Sequence, residues 1–140
     1  MQKLTPAHSL STRVSFGDCD PAGIVFYPNI LAWFDRAFHD WLWSFGGHDA
    51  LCARLGAVGI GLMDVSARFH RPLRNGDVLT IGLTVEDWGA KTVRLAYELR
   101  AADALSATGT ETRGLFVRNQ TGIVAASLDS LRKTLESHEK

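Results

Sequence analysis

Between Phe16 and Asn29 the chain reads FGDCDPAGIVFYPN. Two carboxylates, Asp18 and Asp20, flank Cys19 just ahead of Pro21 and Gly23, and Pro28 opens a long amphipathic run. A carboxylate on a loop that feeds a helix suits hydrolysis. It can activate water or attack a carbonyl itself, while the helix start stabilises the oxyanion that forms. Pro28 carries no N–H, so the backbone donors at that end are Tyr27, Asn29 and Ile30. One well-aimed donor contributes on the order of 3 kcal/mol to acyl transfer. Aspartates at such places also shape turns and cap helices. Composition alone leaves both roles open for Asp18 and Asp20.

Other chemistries have weaker footing. Acids on either side of Cys19 oppose the thiolate that a nucleophile needs, and no Cys-His signature accompanies it. The Asp18-Cys19-Asp20 pair lacks a second cluster of Asp, Glu or His to complete a divalent-metal site, so no metal is expected. The histidines, at 8, 39, 48, 70 and 138, show no His-Glu-x-x-His spacing. His39 lies one turn beyond Asp35 and can pair with it. GAVGIG, residues 56–61, has no following Lys-Ser/Thr and no Rossmann context, so no cofactor is expected.

The elements that must hold these residues follow from periodicity. TRVSF, residues 12–16, alternates as a short strand. From Asn29 to Phe45 the apolar residues Ile30, Trp33, Phe34, Ala37, Phe38, Trp41, Leu42 and Phe45 recur at helical spacing. Such a rod is roughly 25 Å long. Pro28 suits its first turn and Gly46-Gly47 its exit, and the aromatic stripe reads as core. After a loop the period drops to two. Met63, Val65, Ala67 and Phe69 form one alternating set; Leu79, Ile81, Leu83 and Val85 a second; Val93, Leu95, Tyr97 and Leu99 a third. A further strand runs through GTETRGLFVRN. RNGD (74–77), WGAK (88–91) and NQTG (119–122) supply turns, and SLDSLRKTLESHEK a terminal helix. This is an α+β chain: a strand, one long buried helix and antiparallel strands able to curl around it.

The totals narrow the setting. With 140 residues and 46% hydrophobic content, residues 1–140 read as a single domain. The 15 basic and 15 acidic residues cancel, and no basic run with interleaved aromatics points to nucleic acid. No apolar segment has membrane length, and MQKLTPAHSLSTR lacks the core of a signal peptide. Cys19 and Cys52 read as two reduced thiols, and the location expected is cytoplasmic.

FGDCDPAGIVFYPN resembles the signature of the 4-hydroxybenzoyl-CoA thioesterase family of hotdog-fold proteins. The likeness covers about residues 10 to 120, through WFD on the helix, ARFHRPLRNGDVLTI, and Trp88 and Lys91 of the hairpin. It implies a hotdog fold, one long central helix wrapped by an antiparallel sheet of about five strands. It also implies dimers that join their sheets, often paired into tetramers, with acyl-CoA sites at subunit boundaries.

Position by position, Asp20 matches the catalytic carboxylate, as nucleophile or general base. Tyr27 matches the residue whose N–H polarises the thioester carbonyl, and Asp35 an acid near the aromatic acyl group. Asp18 stays with the turn. By the same resemblance, backbone near Ile60, Gly61 and Leu62 lines the acyl or pantetheine channel. Where the family's best-known branch grips the CoA phosphates with a basic hairpin, this chain has Gly89, Ala90 and Lys91. Lys91 alone keeps the role, or Arg68, Arg71 or Arg74 share it. Tyr27-Pro28 favours aromatic acyl groups such as 4-hydroxybenzoyl or benzoyl, because related short-chain thioesterases usually carry histidine after that tyrosine. The alternatives are a short-chain acyl-CoA or acyl-carrier thioesterase and a non-catalytic acyl-CoA-binding protein. A hotdog dehydratase would need a catalytic histidine, and this loop has none.

Overall fold

The computed structural model describes residues 5–137. In chain order these form β1 (His8–Arg13), a 3₁₀ turn (Phe16–Asp18), α1 (Pro28–Trp43), α2 (His48–Leu55), β2 (Gly59–Phe69), β3 (Val78–Trp88), β4 (Val93–Ala101), β5 (Ala104–Asn119), β6 (Gly122–Ala126) and α3 (Asp129–Glu136). The strands make one antiparallel sheet in the order β1-β3-β4-β5-β2, with β6 added to the far end of β5. The α+β arrangement expected is the one observed. β6 is the addition, joined to β5 across the anticipated NQTG turn, where Asn119 faces Gly122.

The helix follows its apolar stripe. Ile30, Trp33, Phe34, Ala37, Phe38, Trp41 and Leu42 are all buried. They meet the inward sets of β3 and β4, including Leu79, Ile81, Leu83, Leu95, Tyr97 and Leu99. Each such side chain contributes about 1.5–3 kcal/mol by leaving water. Phe34 stacks on Tyr97 at 4.8 Å between centroids. The same ring lies over Gly109, where an added Cβ would come within 2.3 Å of it, so only glycine lets the helix sit this close to β5.

Three local expectations change. The first strand spans His8–Arg13 rather than residues 12–16. Arg13 faces Val78, the first residue of β3, and beyond it the partner strand gives way to the RNGD turn. Val14 makes the last two bonds, its N–H donating to Asp77 O (2.8 Å) and its carbonyl accepting the Gly76 N–H (2.9 Å), and the chain turns at Phe16. α2 occupies what reads as loop; its core-facing residues, Leu51, Cys52 and Leu55, make barely one turn of apolar spacing, too short for a periodic pattern to register. In β2, a bulge at Met63 breaks the alternation. Leu62, Met63 and Asp64 are consecutively exposed, and Phe69 is half-exposed at the strand's end. The terminal helix spans Asp129–Glu136, and His138 lies outside the described residues.

Candidate active site

The loop between β1 and α1 folds back on itself as a miniature hairpin. Cys19 bridges Val25, the Phe26 N–H donates to Asp18 O (2.9 Å), and the Asp20 N–H donates to Ile24 O (2.9 Å). The Val25 N–H in turn donates to Leu73 O (2.8 Å), which ties the hairpin to the segment before β3. The two aspartates have different duties. The Asp18 carboxylate accepts the Ser15 N–H (2.8 Å), and its carbonyl also accepts Asn29 Nδ2 (2.9 Å). It builds the turn. Asp20 accepts the Ala22 N–H on Oδ1 (2.8 Å), and its carbonyl accepts the Gly23 N–H, where φ is +81°. The other carboxylate oxygen, Oδ2, has no partner among the described residues.

The helix start is narrower than its sequence suggests. The Asn29 N–H is spent on Phe26 O (3.0 Å) and the Ile30 N–H on Tyr27 O (3.0 Å), both in the first turn. That leaves the Tyr27 N–H, which donates to no protein acceptor among the described residues. Tyr27 is 58% exposed, and its ring leans on Phe26 and Phe69, 5.4 and 6.3 Å between centroids. Beside it opens a cavity of about 320 Å³ walled by Ile24, Val25, Ile30, Phe69, Pro72 and Leu73, with Tyr27, His70 and Arg71 at its polar side. Asp20 does not line this cavity; the hairpin arm it bonds to, Ile24-Val25, does.

Asp35 sits two turns further along α1, roughly 12 Å from Tyr27. Its Oδ1 accepts Arg113 Nη2 at 2.8 Å and lies 3.5 Å from His39 Nε2. Arg113, 2% exposed, also forks onto Glu111 (Nε–Oε1 2.9 Å, Nη2–Oε2 3.1 Å) and lies 4.1 Å above the Phe38 ring. The Tyr97 hydroxyl donates to Glu111 Oε1 (2.5 Å). The neighbouring predicted residues converge here. Leu62 faces Arg113 across the ladder, Gly61 faces Gly114, and Lys91 O would lie 3.3 Å from a Cβ on Gly114. Ile60 is buried, and its N–H is already donated to His48 Nε2 (3.1 Å). Asp20 and Tyr27 thus form one group and Asp35, Ile60, Gly61, Leu62 and Lys91 another. Among the described residues no hydrogen bond or ion pair joins the two.

A family model for the thioesterase-like superfamily matches residues 14–135. The chain belongs to that superfamily. It is 34% identical to the 4-hydroxybenzoyl-CoA thioesterase of Pseudomonas sp. (strain CBS-3) over 87 residues, 60% of this chain and 61% of that one. To the 1,4-dihydroxy-2-naphthoyl-CoA hydrolase of Trichodesmium erythraeum (strain IMS101) it is 30% identical over 86 residues, 61% of this chain and 62% of the relative. The matched stretch therefore spans less than two thirds of either relative. The structure superposes on a solved 4-hydroxybenzoyl-CoA thioesterase, an aspartate-to-asparagine variant complexed with 4-hydroxybenzoyl-CoA, with a TM-score of 0.80 and 25% identity. That superposition covers 91% of this chain and 96% of the other. The sheet and central helix are those of the hotdog fold.

In this thioesterase-like chain, the buried ion pair is the feature that periodicity alone misses. Ala107, Gly109, Glu111, Arg113 and Leu115 share the inward parity of β5, so two opposite charges two residues apart on that face are the available signal. Burial lowers the Arg113 pKa, but the hydrogen bonds and charge of Glu111, then Asp35, outweigh it and hold the group above its ordinary range. Burial, then the Glu111 charge, pushes the Tyr97 phenol far up. His39 moves the other way. Its burial dominates, with Arg113 and His48 adding, and lowers it below 6.5 against the pull of Asp35.

A histidine with a depressed folded pKa binds fewer protons when folded. Its contribution is present above 6.5 and is lost as pH falls toward the folded value. His39→Gln is expected to flatten that loss, read as the urea midpoint at about pH 8 and about pH 5.5. An unchanged difference between the two midpoints would assign the acid sensitivity to other groups.

Proposed function

We propose that this chain hydrolyses acyl-CoA thioesters to the free acid and CoA, with an aromatic acyl group such as 4-hydroxybenzoyl or benzoyl. The observation that carries the reading is the pairing of two unspent groups on one pinned loop. Asp20 keeps a free carboxylate oxygen, and Tyr27 keeps the one unpaired N–H of the helix start. The thioester carbonyl accepts the Tyr27 N–H. Asp20 adds to the carbonyl carbon, giving an anhydride that water opens, or removes a proton from the water that adds. The C–S bond breaks in either route, and the CoA thiolate leaves and takes up a proton. Asp35 and the backbone of Ile60, Gly61 and Leu62 flank the acyl group, and Lys91 lies beside them at the β3–β4 turn, toward the pantetheine arm.

The working unit in this reading is a dimer, or two dimers as a tetramer, with the site shared between copies. β2 is one of the sheet's edge strands and exposes Leu62, Met63 and Phe69. Antiparallel pairing of two β2 edges would set the start of the partner's strand beside the end of this chain's, where Phe69 leans on Tyr27. The two separated groups of site residues would then meet across the interface. Residues 1–140 act as one hotdog domain, free of cofactor and metal. No helix among the described residues is long and apolar enough to cross a membrane. The unpaired Cys19 and Cys52 suit a reducing cytoplasm.

A thioester panel tests the activity. Release of free thiol from 4-hydroxybenzoyl-, benzoyl-, 1,4-dihydroxy-2-naphthoyl-, acetyl- and butyryl-CoA is compared as kcat/KM. An aromatic ester is expected to lead by at least about tenfold, a difference of about 1.4 kcal/mol in transition-state binding. Leadership by acetyl- or butyryl-CoA would select the short-chain enzyme instead, and tight binding without turnover would select the non-catalytic binder.

A further inference from the structure

The basic residues differ in what they already hold. Of the exposed arginines whose side chains have no hydrogen-bond or ion-pair partner among the described residues, Arg36 and Arg118 stand apart, while three others fall within residues 68–74. Arg94 is tied to Glu86, Arg100 to Glu98, Arg132 to Glu136, and Arg113 is consumed in the core. Around the β3–β4 hairpin the charges are largely matched, Glu86 with Arg94 and Glu136 with Arg132, so among the described residues there Lys91 is the cation left over. A cavity of about 390 Å³ there is lined by Glu86, Asp87 and Glu136 against Arg132, and Arg132 already covers the Trp88 face at 5.7 Å. The hairpin's own turn offers Gly89, Ala90 and Lys91, with Gly89 N–H and Ala90 O spent on Thr92 O and Leu128 N–H. Such a surface is a poor receptor for polyanions.

The opposite holds at the end of β2. Arg68, Arg71 and Arg74 are exposed, and among the described residues no carboxylate pairs with their side chains. Their backbone is nonetheless held. The His70 and Arg71 N–H groups both donate to Ser106 O (2.8 and 3.1 Å), and the Arg74 N–H donates to Asp77 Oδ2 (2.9 Å). Asp77, the nearest acid along the chain to Arg71 and Arg74, is engaged in that turn, and Asp64, four residues before Arg68, makes no ion pair with it. Arg71 also walls the same cavity as Tyr27. Free guanidinium forks on a fixed backbone bind phosphate oxygens in pairs, which an ammonium cannot do.

We infer that Arg71, with Arg68 and Arg74 beside it, holds the phosphates of the CoA moiety, and that the β3–β4 hairpin does not. The inference rests on the acyl-CoA reading above. The pantetheine arm has a backbone about as long as four to five extended residues, roughly 15 Å. Laid from the Tyr27 N–H through the cavity that Tyr27 shares with Arg71, an arm of that length would bring the pyrophosphate out at the rim, within reach of the long side chains at 68–74.

The test compares one aromatic acyl group carried on CoA and on pantetheine, which lacks the nucleotide. Arg71→Ala is expected to raise KM for the CoA ester about tenfold with kcat within about twofold, and to leave the pantetheine ester unchanged. Arg68→Ala/Arg71→Ala should raise it further and flatten the salt dependence of KM, while Lys133→Ala, a cation on α3, changes neither ester. Equal losses on both esters, or a larger loss from Lys91→Ala than from Arg71→Ala, would overturn the assignment. If wild-type protein cleaves the pantetheine ester but gains nothing from the nucleotide, the phosphate site is wrong and the hydrolase reading survives. If it cleaves neither, the hydrolase reading fails. Calorimetric binding of adenosine 3′,5′-bisphosphate then decides the phosphate site alone: weakening about tenfold by Arg71→Ala supports it, and no binding ends it.

Discussion

Asp20→Asn is expected to lower kcat on the best thioester by about 10²- to 10⁴-fold, with little change in melting temperature. The asparagine retains an Oδ1 that can accept the Ala22 N–H, the bond that shapes the turn. The Cys19–Val25 bridge and the Asp20 N–H to Ile24 O bond are backbone features and survive the change. What disappears is the charge and basicity of the second oxygen, which no protein group among the described residues uses. A nucleophile or base loses most of its power when amidated, whereas a turn former does not. Asp18→Asn supplies the contrast. Its carboxylate already serves Ser15, so a modest stability effect with kcat largely kept is the expected pattern. Full activity in Asp20→Asn alongside a folded melting curve would remove this residue from the mechanism.

Arg113→Leu is expected to cost about 3–5 kcal/mol of stability, the range for breaking a buried pair by removing one partner. For a chain of this size that is about 10 °C or more in Tm. Glu111 is 1% exposed, and without Arg113 its remaining contact is the Tyr97 hydroxyl. Folding would then have to bury a lone carboxylate or protonate it. Replacing Glu111 and Arg113 together by leucine, with Tyr97→Phe to remove the stranded hydroxyl, should recover most of the loss, because an apolar set of similar volume has no charge to desolvate. Urea unfolding of the single and triple variants measures this directly. A single variant within about 1 kcal/mol of wild type would mean that water reaches the pair more freely than its burial indicates. The same variant also frees Asp35 from its shortest ion pair, so its effect on aromatic acyl turnover links the core to the proposed site.

The long helix was legible because its apolar residues repeat at 3.6 over sixteen positions, and a stripe that wide must be buried wherever the helix lies. β3 and β4 were legible for the matching reason at period two. α2 and β6 were not, since neither carries enough periodic residues to outweigh its neighbours. The end of β1 was set by where its partner begins, at Val78, and a strand's own residues hold no record of that.

The site divides along the same line. Local order determined the aspartate pair, the proline at the helix start and the turn they make, because those bonds run between residues close in the chain. Only the tertiary structure decided which helix-start N–H stays unspent, that Arg113 reaches Asp35 across 78 positions, and which arginines remain unpaired. Hydrogen-bond and ion-pair partners far apart in sequence are chosen by packing. A residue's type says what it can bond, and the fold says what is left for it to bond.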